Sequence, residues 1–262
     1  MKLKKQFLFC LLLLSVLING SCALLVGERS ITSTLQKTIP VSKKCSQLIV
    51  ITTADWNSTL GTATLFERFP KESSWKKIAD SFPVVLGKNG LAWGLGLHGD
   101  APEEGLLKVE GDGRSPAGVF ILGESFGYAP ANKVGIKNIP YRQLTETDEG
   151  VDDPASRYYN RIVAAEMISD HDWNSFETML RPDGLYRLGL IIQHNWENIP
   201  GRGSCIFMHL WRSPDQGTAG CTAMASIHLE QILHWLDSKK NPLLVQLPFS
   251  EYDARKQSWH LP

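Results

Sequence analysis

Apolar residues in this chain occur mostly in short runs of strand length, and this pattern limits the folds it can adopt. From Gln47 onward the runs are separated by glycine, proline, asparagine and serine, which favour turns. The runs predicted to form strands are residues 48–53, 59–67, 84–86, 91–93, 185–193, 204–211 and 243–247. Lys88-Asn89-Gly90 suits a turn with positive φ and predicts a hairpin between the third and fourth runs. We therefore expect a mainly β domain.

One segment near the C-terminus has helical rather than strand spacing. Leu229, Ile232, Leu233 and Leu236 follow the i, i+3, i+4, i+7 pattern of an amphipathic helix. The composition is that of a globular chain, since 43% of the 262 residues are hydrophobic and 21% are charged. These values exclude disordered, collagen-like and polytopic membrane proteins. The 27 basic and 27 acidic side chains balance, so the charge gives no indication of a nucleic-acid partner.

The N-terminus has the layout of a bacterial-type export signal, which we assign to residues 1–23. Three lysines precede an apolar run at residues 7–18, and small residues follow it. This run is shorter than the roughly 20 residues of a membrane-spanning helix, so we expect cleavage, with an uncleaved anchor as an alternative. Gly20 and Ser21 before Cys22 also match a lipoprotein signal, in which a lipid on Cys22 would attach the protein to the membrane, although Asn19 replaces the usual aliphatic residue. The predicted location is the periplasm or cell envelope, with residues 24–46 as a linker to a domain at 47–262.

Three cysteines remain after the export signal, so at least one of Cys45, Cys205 and Cys221 is unpaired. Cys221 follows His209 by twelve positions, and a loop rich in small residues joins them. A loop of this length can fold back to bring the imidazole to the thiol, as nucleophilic catalysis by cysteine requires. The glycines of the loop could leave backbone N–H groups free to hold an oxyanion. Cys221 and His209 are therefore the candidate catalytic pair.

Gly217-Thr-Ala-Gly-Cys221, downstream of Phe207-Met-His209, resembles the active-site signature of the L,D-transpeptidase family, the YkuD-like catalytic domain. That signature is a histidine, a spacer, and then Ser/Thr-x-Gly-Cys. The segment from Gly111 to Phe120 is similar to the family's Thr/Ser-Pro-x-Gly-x-Phe turn and strand. The similarity extends over residues 47–247 and indicates a divergent exported branch of the family.

The resemblance implies a β-sandwich or mixed sheets, with a helix after the catalytic cysteine loop, and no cofactor or metal. It implies a peptidoglycan L,D-transpeptidase whose partners are stem peptides. Cys221 would attack the stem-peptide carbonyl, and His209 would act as base and then as acid. The backbone N–H groups of Gly220 and Cys221 are candidate oxyanion donors, and the carbonyl of Leu210 would orient the imidazole.

The acyl acceptor and the substrate contacts stay open at this point. An amine acceptor would give a 3-3 cross-link or a tethered protein, whereas water would make the enzyme a murein L,D-carboxypeptidase. A non-catalytic wall-binding module of the same fold is a further alternative. Ala219 and Ala223 replace a second histidine and an arginine found in many members. Thr218 and His194 are candidate substrate-binding residues, His194 having a structural role as its alternative.

The distance between Cys205 and His209 along the predicted strand bears on two alternatives, a disulfide to Cys221 and a zinc site. A strand rise of about 3.3 Å per residue puts Cys205 roughly 13 Å from His209. Disulfide partners have Cα atoms within about 7 Å, which argues against a Cys205–Cys221 bond. Cys205 is expected to be buried as a small apolar side chain, with a bond to Cys45 as the alternative. The same separation disfavours a zinc site formed by His194, Cys205, His209 and Cys221.

An acidic segment and a set of tryptophans are the two remaining features of the sequence. Residues 141–172 are rich in acids and are expected to form an acidic insertion with a solvated surface. Six tryptophans are expected mostly to pack the core, with sugar-binding platforms as the alternative: Trp56, Trp75, Trp93, Trp173, Trp196 and Trp211.

Overall fold

The computed structural model describes residues 40–69, 74–102 and 105–262. The described part of the chain is mainly β, with 34% strand and 12% helix, as the short apolar runs predict. The strands are β1 (Gln47–Thr53), β2 (Leu60–Glu67), β3 (Lys76–Lys77), β4 (Phe82–Val85), β5 (Leu91–Trp93), β6 (Ser115–Gly127), β7 (Tyr141–Gln143), β8 (Asp148–Val151), β9 (Arg161–Ala164), β10 (Phe176–Thr178), β11 (Leu188–Ile192), β12 (Phe207–Leu210), β13 (Thr222–Met224) and β14 (Leu243–Pro248). The helices are α1 (Ala131–Val134), α2 (Ser226–Trp235) and α3 (Phe249–Arg255), with 3₁₀ turns at Ala165–Met167 and Ser238–Lys240. The predicted export signal, Cys22 and residues 24–39 of the predicted linker lie outside the described residues.

A mixed sheet closes into a barrel. The hydrogen-bonded order is β1-β14-β6-β11-β12-β13-β4-β2, and β2 pairs again with β1. The β1–β14 and β12–β13 pairs are parallel, and the other pairs of the ring are antiparallel. β3 pairs with β2, while β5 and β7 pair with β6. Closure gives every ring strand two neighbours, which satisfies the backbone groups that an open sheet would expose at its edges.

The predicted hairpin at Asn89-Gly90 is wrong. Gly90 does adopt a positive φ of 86°, and a single antiparallel bridge joins Gly87 to Gly90. Beyond this bridge the chain separates, because β4 pairs with β2 and β13 whereas β5 pairs in parallel with β6. The turn chemistry was identified correctly, but long-range pairing in the closed sheet determines the partners of each strand.

The predicted C-terminal helix is confirmed as α2, which follows β13. Leu229, Ile232 and Leu233 are its buried residues, and Leu236 just after it is buried as well. They pack in the main core with strand residues such as Met208. The helix therefore covers the sheet close to the strands that carry His209 and Cys221.

The acidic segment forms structure of its own, and all of its acidic side chains except Asp148 are exposed or partly exposed, as expected for a solvated surface. β8, β9 and β10 make a separate three-stranded sheet in the order β10-β8-β9. Val151, Val163 and Trp173 form a small core beneath it. This sheet extends the predicted insertion beyond residue 172, and its last strand contributes to the site described below.

The packed domain begins before Gln47, so the predicted linker boundary at residue 46 is too late. Val41 and Cys45 are buried in the main core. The Cys45 carbonyl accepts a 2.7 Å hydrogen bond from Nε of Arg68, which ties this segment to the end of β2. Within the described part of the chain, no helix has the length and apolarity needed to cross a membrane.

Candidate active site

His209 on β12 and Cys221, just before the neighbouring strand β13, line one cleft of about 450 Å³. β12 and β13 are parallel, with His209 opposite Ala223, and Cys221 immediately precedes β13. Alternation along a strand puts Cys221 and Ala223 on the same face, so the thiol and the imidazole project to the same side. An offset of two residues across one strand spacing separates their Cα atoms by about 8 Å. The parallel register therefore brings both residues to one cleft, although the thiol bonds backbone groups at the start of β12 and not the imidazole.

His209 is held as a neutral base. Its Nδ1 is 2.8 Å from the carbonyl oxygen of Leu210, the residue that the family resemblance implies for this role. Because a carbonyl can only accept, Nδ1 carries the proton and Nε2 is left to accept one. The Tyr186 ring packs edge-on against the imidazole with centroids 5.2 Å apart. Burial lowers the pKa of His209 from 6.5 to about 4, so the ring is uncharged at neutral pH.

The Cys221 thiol is buried among backbone groups at the start of β12. Its Sγ accepts a hydrogen bond of 3.3 Å from the N–H of Phe207 and lies 3.5 Å from the carbonyl oxygen of Cys205. Burial raises the pKa of Cys221 from 9.0 to about 12, and the negative charge of Glu177 adds to this effect. The thiol is therefore protonated at rest, and a base must take its proton as it attacks.

The loop before Cys221 is fixed by two hydroxyl groups. The Cys221 carbonyl accepts hydrogen bonds from Ser115 Oγ at 2.9 Å and from Thr218 Oγ1 at 2.6 Å. Thr218 Oγ1 also accepts the N–H of Gly220 at 3.1 Å, and Ser115 Oγ accepts the N–H of Gly87 at 2.8 Å. The N–H of Gly220 is thus occupied, which corrects its predicted role as an oxyanion donor and leaves that of Cys221. Thr218 lines the cleft, but its hydroxyl is engaged in holding the loop.

The opposite wall of the cleft consists of residues that the sequence reasoning missed. The hydroxyl of Tyr186 donates to Glu177 Oε2, and the Arg181 guanidinium lies 5.1 Å from the centroid of the Tyr186 ring. Asp183 pairs with both Arg181 and Arg212, at 2.8 Å each. Two guanidinium groups therefore share the Asp183 carboxylate, and with Glu177 counted the two positive and two negative charges of this wall balance. No local motif marks these residues, because the three-stranded sheet and the loop after it bring them to the cleft.

His194 lies outside the cleft, which corrects its candidate role in substrate binding. The residue is 1% exposed, and its two ring nitrogens are used by the backbone. Nδ1 accepts the N–H of Leu95 at 3.1 Å, and Nε2 lies 2.8 Å from the carbonyl oxygen of Arg202, to which it donates. Burial lowers the pKa of His194 to about 4. The ring is a neutral structural crosslink between two loops.

Cys205 lies much closer to the nucleophile than the distance argument predicted. Cys205 is four residues from His209 along the chain, but the parallel register sets Cys221 beside the start of β12. Cys205 is buried in a left-handed conformation, with φ of 51°, and its carbonyl contacts the Cys221 thiol. Cys45, Cys205 and Cys221 are nevertheless free thiols. In the described ranges no three histidine, cysteine or acidic side chains are arranged to hold a metal ion.

Comparison of the chain with protein-family models, with characterised proteins and with solved structures finds no match in any of the three. A functional assignment therefore depends on the motif around Cys221 and on the chemistry of its cleft.

Proposed function

We propose that this protein is an exported peptidoglycan L,D-transpeptidase that uses Cys221 to form an acyl-enzyme with a stem peptide. The observation that carries the proposal is the shared cleft of Cys221 and His209, with the imidazole oriented by the Leu210 carbonyl. A nucleophile, a base and a group that orients the base are the three roles required for acyl transfer by an activated side chain.

The protonation states support a concerted first step. A thiol with a pKa of about 12 and an imidazole with a pKa of about 4 form a neutral pair at pH 7. As Cys221 Sγ bonds to the substrate carbonyl carbon, its proton passes to Nε2 of His209. The carbonyl oxygen becomes an oxyanion, for which the Cys221 N–H is the remaining candidate donor. His209 then returns the proton to the departing amine, leaving a thioester that a second amine, or water, attacks.

The exposed arginines of the cleft are consistent with a substrate that carries a carboxylate. Arg212 is half-exposed, and Arg181 and Asp183 beside it are partly exposed. Although these charges balance overall, an exposed guanidinium group can pair with a ligand that carries a carboxylate, because opposite charges add complementarity at the point of contact. A stem peptide that ends in D-alanine has such a carboxylate.

Mass spectrometry of muropeptides tests the proposal directly. Incubation of the protein with tetrapeptide muropeptides is expected to release D-alanine and to yield a 3-3 dimer or a tripeptide. Cys221→Ala and His209→Asn are expected to abolish release, whereas Cys45→Ala, which changes a buried thiol outside the cleft, should retain it. A carbapenem, whose acylation also needs the base, should label Cys221. Unchanged release by Cys221→Ala, or carbapenem label on Cys45 or Cys205, would overturn the proposal.

A further inference from the structure

Trp196 stands apart from the other tryptophans of the chain. Its side chain is 65% exposed, whereas the remaining seven are buried or partly buried. Exposure of the largest apolar side chain is unfavourable in water unless a partner covers it. Trp196 was one of the residues for which the sequence left a sugar-binding role as an alternative.

The loop that carries Trp196 is rigidly built. Asn195 is 1% exposed and has a φ of 53°. Its side chain donates to the carbonyls of Ile199 and Gly203, at 2.9 and 3.0 Å, and accepts the N–H of Ile199 at 2.9 Å. Asn160 Nδ2 donates to the Asn195 carbonyl at 2.9 Å. A platform held in this way loses little conformational entropy when a ligand binds.

Trp196 borders a groove of about 370 Å³, here called the Trp196 groove. Its exposed apolar residues are Leu97, Ile121, Trp196 and Ile199. Its polar side chains are Asp100, Gln193, Asn195 and Glu197. Asp100, Gln193 and Glu197 make no side-chain hydrogen bond or ion pair with another described residue, so these groups are available to a ligand.

We propose that the Trp196 groove binds the pyranose rings of a neutral polysaccharide, which is the glycan strand of peptidoglycan if the proposed function holds. The flat, exposed indole offers a surface for the apolar face of a sugar ring, and the carboxylates and amide offer partners for its hydroxyl groups. The lining includes two carboxylates and no basic residue. Nucleic acids, anionic lipids and other polyanions are disfavoured by that charge.

The groove is connected to the candidate catalytic strand. A narrow cleft lined by residues that include Gln193, Trp196 and Phe207 extends from it to β12. The N–H of Phe207 is the group that bonds Cys221 Sγ. The start of β12 is therefore common to this pocket and to the surroundings of the candidate nucleophile.

Binding of chitin oligosaccharides, which are uncharged chains of N-acetylglucosamine without stem peptides, measured by calorimetry with the full chain, tests the inference. Trp196→Ala is expected to weaken binding at least tenfold, and Trp196→Phe should restore part of it. The matched control is Ile227→Ala, which removes another exposed apolar side chain, 68% exposed, on α2 and should bind as the native protein does. Equal binding by the native protein and Trp196→Ala would overturn the inference. A native protein that binds no glycan but forms dimers that Trp196→Ala abolishes would also overturn it.

The probe separates this inference from the proposed function, because it carries no stem peptide. Glycan binding that depends on Trp196, without any turnover of muropeptides, would support the groove and overturn the transpeptidase proposal. Turnover of muropeptides without glycan binding would support the transpeptidase proposal and overturn the assignment of the groove.

Discussion

The rate at which Cys221 is alkylated tests the protonation states on which the mechanism depends. The perturbation is pH, varied from 6 to 10 in the presence of iodoacetamide, which reacts with thiolate and not with thiol. The pKa of Cys221 is raised from 9.0 to about 12 by burial, a difference of three units. At pH 7 the thiolate fraction is then about 1000-fold smaller in the folded protein than in the unfolded chain.

The assay is quantitative mass spectrometry of each cysteine-containing peptide, with the urea-unfolded protein as reference. Alkylation of native Cys221 at pH 7 should be about 1000-fold slower than in urea, and its rate should rise about tenfold per pH unit up to pH 10. His209→Asn should leave this profile unchanged, because a neutral imidazole does not stabilise the thiolate. A rate that reaches a plateau below pH 8 and falls in His209→Asn would refute the reasoning, since it would reveal a preformed thiolate–imidazolium pair.

Three further predictions concern the framework of the site. Ser115→Ala leaves the buried N–H of Gly87 without its hydrogen-bond partner. The substitution should lower the free energy of unfolding by about 2 kcal/mol and Tm by about 4–8 °C in calorimetry. An unchanged Tm would contradict the role of the hydroxyl. Gly87→Ala sets a Cβ 2.7 Å from the backbone nitrogen of Ser115 and should lower Tm further, so a native-like Tm would exclude this close approach. Burial lowers the pKa values of His98 and His194 from 6.5 to about 4, so only the unfolded chain takes up protons at these residues as pH falls below 6.5. Each histidine should therefore reduce the free energy of unfolding by up to about 3 kcal/mol at pH 4. A Tm that stays constant between pH 7 and 4.5 would argue against neutral rings in the folded protein.

Local pattern predicted most of the elements around the site. Side-chain alternation places Phe207 and Cys205 in one core cluster and Ile206, Met208 and Leu210 in the other, as expected for a strand covered on both faces. The helical spacing beginning at Leu229 likewise identified α2 and its buried face. These predictions succeeded because the repeat of a strand or a helix is a property of neighbouring residues.

Predictions that depended on long-range pairing were less complete. β6 is thirteen residues long and is a neighbour of β14 and β11, yet its sequence suggested only short apolar pieces. The distance assigned to Cys205 was misleading because the thiol of Cys221 meets β12 at its beginning and not at His209. Glu177 reaches the cleft through a sheet formed from distant segments, so no spacing in the sequence could have identified it.

The sequence by itself determined the β-rich class, the C-terminal helix and the order of His209, the glycine-containing loop and Cys221. Only the tertiary structure decided which strands pair, that the N–H of Gly220 is occupied, and that Trp196 alone among the tryptophans faces solvent. The physical reason is that local periodicity selects the conformation of a segment and the face it buries. Barrel closure and the packing of the second sheet then select its neighbours, its exposure and the pKa values of its side chains.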